Sequence, residues 1–302
     1  MHEQLLLRLK RSAKLFADET TAPVLDPGRG RTKTGQLWAY ARDDRPWGGS
    51  DPPGVAYVYA PDRKAEHPIA HLDGFKGILR VDGYAGYRAL AERGGVQLAF
   101  CWSHVRRKFY ELAAAGPAPI ASEALERIAA LYRIESDIRG HSAAERCAMR
   151  QEKTRPVIDG LKPWFIANLE LISQKSKLAE AIRYTLSHWL GLTRFLDDGR
   201  IEIDSNTVER SIRPITLNRK NALFAGSDGG GEHWAIIASL IETCKLNAVE
   251  PQHYLTDVIT RIVNGHPQSQ IDDLLPWAYV PAENSKRWPD NSAYPEPNRG
   301  FQ

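Results

Sequence analysis

Three acidic residues stand where a carboxylate can do chemistry. Asp18 closes the apolar run KLFAD, Asp82 closes GILRVD, and Glu209 lies in the polar segment SNTVERSIRP. Hard cations such as Mg²⁺ take oxygen ligands, and two ions about 3.5–4 Å apart need one shared carboxylate with others flanking it. If the strands ending in Asp18 and Asp82 are neighbours, two of these carboxylates meet at one sheet edge. The third must come from elsewhere, and Glu209 is the candidate. The interval from Asp82 to Glu209 is long enough to hold a complete inserted subdomain. Each residue also has a plainer use. An Asp after a strand forms turns or caps helices, Glu209 beside Arg210 can be a solvated helix pair, and Asp204 can cap the helix that carries Glu209.

The elements that must position these acids follow from periodicity. Strands are expected at Lys14–Asp18, Gln36–Arg42 and Val55–Ala60, separated by Gly, Pro and Asp clusters. A helix at Glu66–Phe75, a strand at Gly77–Asp82, a helix at Gly86–Arg93 and a buried strand at Val96–Trp102 follow. The order is β-β-β-α-β-α-β: a meander, then two strands reached through helical crossovers and therefore parallel to a neighbour. This is the element order of a ribonuclease-H-like α/β core with a mixed five-stranded sheet.

From His104 to about Gly191 apolar residues recur at three- and four-residue spacing, as in successive helices. Ile201–Asp204 (IEID) reads as strand-like. GSDGGGE reads as a flexible turn before a helix at about His233–Lys245, because it lacks the Lys-Ser/Thr ending of a phosphate-binding loop. Pro251–Val263 looks helical, and the polar, proline-rich stretch after Pro281 is expected to be disordered. The chain divides into a first part of the core (1–102), a helical insertion (103–200), the remainder of the core with the third acid (201–246), and a C-terminal helical segment with its tail (247–302).

At 302 residues, 42% hydrophobic and 25% charged, the composition is that of a globular protein with a substantial core. No apolar run is long enough for a membrane span, and the leucines of MHEQLLLRLKRSAKLF are interrupted by Arg8, Lys10, Arg11 and Lys14, unlike a secretory signal. Cys101, Cys147 and Cys244 are widely separated with no CxxC pair, which fits a reducing cytoplasm. Cys101 with His104 offers too few ligands for zinc. A net charge of +3 permits a nucleic-acid partner without demanding one. Local clusters carry that argument: Arg213, Arg219 and Lys220 follow Glu209, and Arg106 and Arg107 follow the strand ending at Trp102. Such residues supply phosphate contacts, although Arg106 and Arg107 equally suit a solvated helix face. Trp102 suits core packing or a DNA end, and His104 suits capping, orienting or a DNA contact.

The motifs ADET (17–20), LDPGRGRTKTGQLWAY (25–40), DGYAGY (82–87), FCWSHVRRKF (100–109) and IDSNTVERSIRPITLNRKNALFAGSDGGGE (203–232) resemble the transposases of the insertion sequence 66 family. The resemblance runs from about Lys14 to Tyr279, with five motifs in order. It implies an acidic triad at Asp18, Asp82 and Glu209, serving as both catalytic residues and metal ligands. Two Mg²⁺ ions, replaceable by Mn²⁺, and double-stranded DNA as substrate are implied with it. The implied reaction nicks DNA at an element's end and joins the freed 3′-hydroxyl to target DNA. A homo-oligomer on paired ends, and accessory proteins of the same element, are further implied partners. Family members carry a coiled coil, a zinc-binding module and a helix-turn-helix-like region ahead of the core, whereas this chain starts shortly before Asp18; a catalytic-core fragment is therefore expected. Two other readings stay open, a nuclease that cuts without joining and an inactive DNA-binding remnant.

Overall fold

The computed structural model describes residues 1–26 and 28–281. The expected disorder after Pro281 therefore lies outside the described residues. A short amphipathic helix, α1 (His2–Leu9), buries Leu5 and Leu9 and leads into the sheet. Strands β1 (Lys14–Asp26), β2 (Arg31–Arg42) and β3 (Gly54–Ala60) form the expected antiparallel meander. After α2 (Glu66–His71) comes β4 (Gly77–Val81), and after α3 (Gly86–Glu92) comes β5 (Val96–Phe100). β4 runs parallel to β1 and β5 parallel to β4, giving one mixed sheet in the order β3-β2-β1-β4-β5.

One expectation about β1 needs correcting. Asp18 does not end the strand; β1 continues to Asp26, paired with β2 down to Asp26↔Arg31. The Thr-rich second half of β1 lacks the apolar alternation of the first. It is held instead by backbone pairing to the polar start of β2, which side-chain pattern does not reveal.

Side chains alternate across the sheet. On one face Leu15, Ala17, Trp38, Tyr40, Leu79 and Val81 pack with α1, with α3, and with α12 (Pro251–Val263). On the other face Phe16, Leu37, Ala39 and Tyr57 pack against α10 (Asn206–Ala222) and α11 (Asp228–Leu246). β3 is an edge strand, and such edges leave donors and acceptors unpaired. Here α11 covers it with hydroxyls one turn apart: Ser239 accepts from the Tyr57 amide at 2.8 Å, while Thr243 accepts from the Val55 amide at 3.1 Å and donates to its carbonyl at 3.0 Å.

Between β5 and α10 the chain is helical: α4 (Trp102–Ala114), α5 (Pro119–Asp137), α6 (Ala143–Met149), α7 (Arg155–Leu171), α8 (Lys177–Ser187) and α9 (Trp189–Thr193). They enclose a second core of Trp102, Phe109, Ile128, Leu161, Phe165 and Phe195. Trp102 is fully buried and donates its indole N–H to the Leu192 carbonyl at 2.8 Å, so its role is packing. Burial of one such side chain contributes about 2–3 kcal/mol.

Two further expectations are corrected. Ile201–Asp204 is not a strand; Ile201 and Ile203 are buried with the helical core and the segment is a series of bends. GSDGGGE is not a loop before a helix. Ser227 caps α11 by accepting from the Gly230 amide at 3.1 Å, and the glycines form the first turn. A Cβ on Gly231 would lie 2.7 Å from the Tyr59 ring, so the glycine lets this helix approach β3. Among the described residues no helix is long and apolar enough to cross a membrane.

Candidate active site

β1 and β4 set the first two acids side by side. Their parallel register pairs Phe16 with Arg80, and two residues further on each strand line stand Asp18 and Asp82. By alternation Asp18 shares the Phe16 face and Asp82 the Arg80 face, the side on which α10 lies. Asp18 accepts the Glu19 amide at 2.8 Å and Asp82 accepts the Tyr84 amide at 2.9 Å, which fixes both carboxyl groups. Burial, and then the charge of Asp82, push the Asp18 carboxyl up to about 7. Two carboxylates so placed repel each other and gain from any cation between them.

Glu209 reaches the same place from the far end of the chain. Lys14, at the start of β1, donates to Glu202 at 2.7 Å and to the Arg200 carbonyl at 2.8 Å. The Trp102 amide donates to Ile203 at 3.1 Å, and the Arg80 guanidinium to the Asp204 carbonyl at 3.2 Å. Asp204 then accepts the Asn206 amide at 3.2 Å as α10 begins, the capping role open to it in the sequence. Glu209 lies in the first turn of α10, and the Ser205 hydroxyl donates to it at 2.8 Å.

His104, in the first turn of α4, links the acids. Ligand atoms of Cys101, His104 and Glu209 lie within 4.8 Å of one another. Interaction with Cys101 holds His104 above its ordinary range despite burial, and the charges of Glu209 and Asp82 add to this. Burial opposes ionisation of Cys101, but His104 and the Arg80 charge outweigh it and bring the thiol down to about 6. His104 thus interacts by charge with Asp18, Asp82 and Glu209, while the close cluster of ligand atoms is Cys101, His104 and Glu209 and does not include Asp18 or Asp82.

Residues 1–233 match the family described as Transposase IS66 family, and residues 239–277 match the IS66 C-terminal element. The chain belongs to the IS66 transposase family. The uncharacterized protein y4qI of Sinorhizobium fredii is 49% identical over 92% of this chain and 53% of its own length. The uncharacterized protein y4jD of the same organism is 45% identical, over 92% of this chain and 56% of its own length. The chain therefore spans about half the length of these relatives.

The basic residues noted in the sequence of this IS66 chain divide. Arg106, Arg107, Arg213 and Lys220 are exposed. Arg219 is not free: it donates to the Thr21 hydroxyl at 2.6 Å and to the Thr21 carbonyl at 2.5 Å, bracing α10 against β1.

Sequence reasoning missed several neighbours of the acids. Glu19 lies on the opposite face from Asp18, held by Arg63 at 2.8 Å; β alternation could have flagged it. The Tyr184 hydroxyl of α8 donates to the Asp82 carbonyl at 2.8 Å. Gly83 follows at φ +109°, and a Cβ there would sit 3.0 Å from the Tyr184 oxygen and 3.2 Å from His188 Nε2. Nothing in the sequence ties Tyr184 or His188 to Asp82. Arg80 was legible as a charge inside an apolar strand, and it is fully buried.

Proposed function

We propose that this chain is the catalytic part of a DNA transposase, with Asp18, Asp82 and Glu209 holding two Mg²⁺ ions, or Mn²⁺ in their place. The observation that carries the proposal is the pairing of Asp18 with Asp82 across β1 and β4, with Asp18 raised to about 7 by burial and by Asp82. A half-buried carboxylate pair is a donor set suited to a hard divalent cation. Bound there, the metal would supply activation of a hydroxyl nucleophile and stabilisation of the leaving oxygen.

The chain's own residues would do the positioning. Asp18, Asp82 and Glu209 would hold the metal through their carboxylate oxygens. Ser205 fixes the Glu209 carboxylate through its 2.8 Å hydrogen bond, and Tyr184 holds the backbone at Asp82. His104, above its ordinary range, would present positive charge toward the same carboxylates. Under this reading the sheet with α10 and α11 is a ribonuclease-H-like core in two parts, 1–102 and 201–246. The helices of 103–200 form an insertion in it, and 247–302 is a C-terminal addition. Arg106, Arg107, Arg213 and Lys220 would meet DNA phosphates, and Arg219 would hold α10 in place. The enzyme would work in the cytoplasm as a multimer on paired DNA ends, with accessory proteins of its element.

The test uses labelled duplexes carrying candidate element ends with Mg²⁺ or Mn²⁺. Joined products that vanish in Asp18→Ala, Asp82→Ala and Glu209→Ala support the proposal. Cutting without joining would make this a nuclease. DNA binding with no cleavage in either metal would favour an inactive remnant.

A further inference from the structure

Two cavities adjoin at Asp204 and Asn206, beside the first turns of α4 and α10. One, of about 390 Å³, is lined by Arg139, Arg146 and Arg210 among others. The other, of about 510 Å³, is lined by Ser103, Arg106, Tyr132 and Arg133 among others. They share Asp204 and Asn206 as walls and follow α5 and the turn after it from Ala129 to Arg139, one on each side of these two residues. Ser103, at the start of α4, borders the second, and the two are taken together as one groove.

The groove contains donors with nothing to bond. Arg146 is only 4% exposed, yet its Nε and Nη1 have no hydrogen-bond partner among the described residues. Its nearest carboxylates, Glu135 and Glu202, stand at 3.9 and 4.0 Å. Both are already engaged at shorter range, Glu135 by Arg150 at 2.6 Å and Glu202 by Lys14 at 2.7 Å. The buried Tyr132 hydroxyl also lacks a partner among the described residues. Buried donors are costly to leave unpaired, a guanidinium above all. Arg106, Arg133, Arg139 and Arg210 are exposed and form no ion pair among the described residues. Of the other acids lining the groove, Asp43 binds Arg45 at 2.8 Å and Asp204 accepts from the Asn206 amide at 3.2 Å, while Glu202 Oε1, the oxygen nearer Arg146, has no hydrogen-bond partner among the described residues. The starts of α4 and α10 add the positive ends of their helix dipoles.

We propose that this groove holds the phosphodiester backbone of a DNA strand leading to the acid cluster. Arg146 and Tyr132 are its buried donors, and Arg133, Arg139 and Arg210 its flanking charges. A single phosphate ion would meet the same donors, but arginines spaced along α5 and across to α10 suit a row of phosphates. The inference rests on the reading of this chain as a DNA enzyme.

Binding is measured by fluorescence anisotropy on the full chain with a labelled duplex in EDTA, across a KCl titration, with inorganic phosphate as competitor. Arg133 and Arg139 are exposed and unpaired, so the double variant Arg133→Ala/Arg139→Ala leaves folding intact. It is expected to weaken binding about tenfold at low salt and to flatten the slope of log K against log[KCl] by about 2, since each phosphate contact contributes about 0.9. Arg146→Lys, checked for folding by circular dichroism, is expected to weaken binding about threefold, because an ammonium does not replace the guanidinium fork. Arg11→Ala/Lys76→Ala, at the other end of β1 and β4, is expected to change the slope little. Wild-type DNA binding with unchanged affinity and slope in the groove variants would overturn the groove while leaving the DNA reading intact. An equal loss in the Arg11/Lys76 control would overturn it too, as a net-charge effect. Phosphate that competes equally with wild type and groove variants would place the anion site elsewhere. A wild type that binds no DNA would sink both readings.

Discussion

Removing the charge of Asp18 should stabilise the metal-free protein while destroying its proposed activity. Burial and the charge of Asp82 raise this carboxyl from 3.8 to about 7. The unfolded chain therefore gives up the proton more readily than the folded one, and stability declines as pH rises from about 4 to about 7. Above that range the loss is complete. At about 1.4 kcal/mol per pH unit, the ceiling is about 4 kcal/mol. Water reaching the half-buried carboxyl lowers the expected figure to about 2 kcal/mol. Asp18→Asn keeps the shape and the acceptor for the Glu19 amide but carries no charge. In EDTA at pH 8 its thermal midpoint, followed by circular dichroism, should rise by about 5 °C. The gain should shrink steadily toward pH 4. Added Mg²⁺ should stabilise wild type and have little effect on the variant. An unchanged or lower midpoint for Asp18→Asn at pH 8 would refute the account of uncompensated repulsion between Asp18 and Asp82.

Three other outcomes follow from packing around the site. Gly83→Ala puts a Cβ into the left-handed region and 3.0 Å from the Tyr184 oxygen; it should cost about 1–3 kcal/mol in urea unfolding and lower cleavage at least tenfold by moving Asp82. Trp102→Ala empties a fully buried site and orphans the Leu192 carbonyl, so urea unfolding should show a loss of about 3–5 kcal/mol. Gly231→Ala drives a methyl to within 2.7 Å of the Tyr59 ring. It should lower stability by about 1–3 kcal/mol in the same assay, with a smaller loss when Tyr59→Ala is added.

The sheet was legible because its first and last strands carry clear apolar runs punctuated by Gly, Pro and Asp. Helical crossovers then dictated which strands had to be parallel. The extension of β1 past Asp18 was not legible: its polar second half is fixed by backbone pairing to β2, to which side-chain pattern is blind. Ile201 and Ile203 alternate like a strand but answer to the helical core. Three glycines in a row suggested a loop, whereas the ring of Tyr59 needs the missing Cβ of Gly231. At the site, β4 does stop just before Asp82, but Asp18 lies within β1 and not at its end, so the two acids are level because of the parallel register of β1 and β4. His104 could be seen only as a residue just past a strand, and its contact with Glu209 depends on how the segment after α9 docks. Tyr184 and His188 reach Asp82 through tertiary packing alone, with no local pattern to announce them.

The most direct test of the central claim, that Asp18 is a metal ligand in DNA cleavage, is metal rescue of Asp18→Cys. A thiolate is a poor ligand for Mg²⁺, which prefers hard oxygen donors, and Mn²⁺ tolerates sulfur better. On a labelled element-end duplex, wild type should cleave in both metals. Asp18→Cys should be inactive in Mg²⁺ and regain cleavage in Mn²⁺, while Asp18→Ala stays inactive in both. Full cleavage by Asp18→Ala in Mg²⁺, or equal activity of Asp18→Cys in the two metals, would contradict the claim.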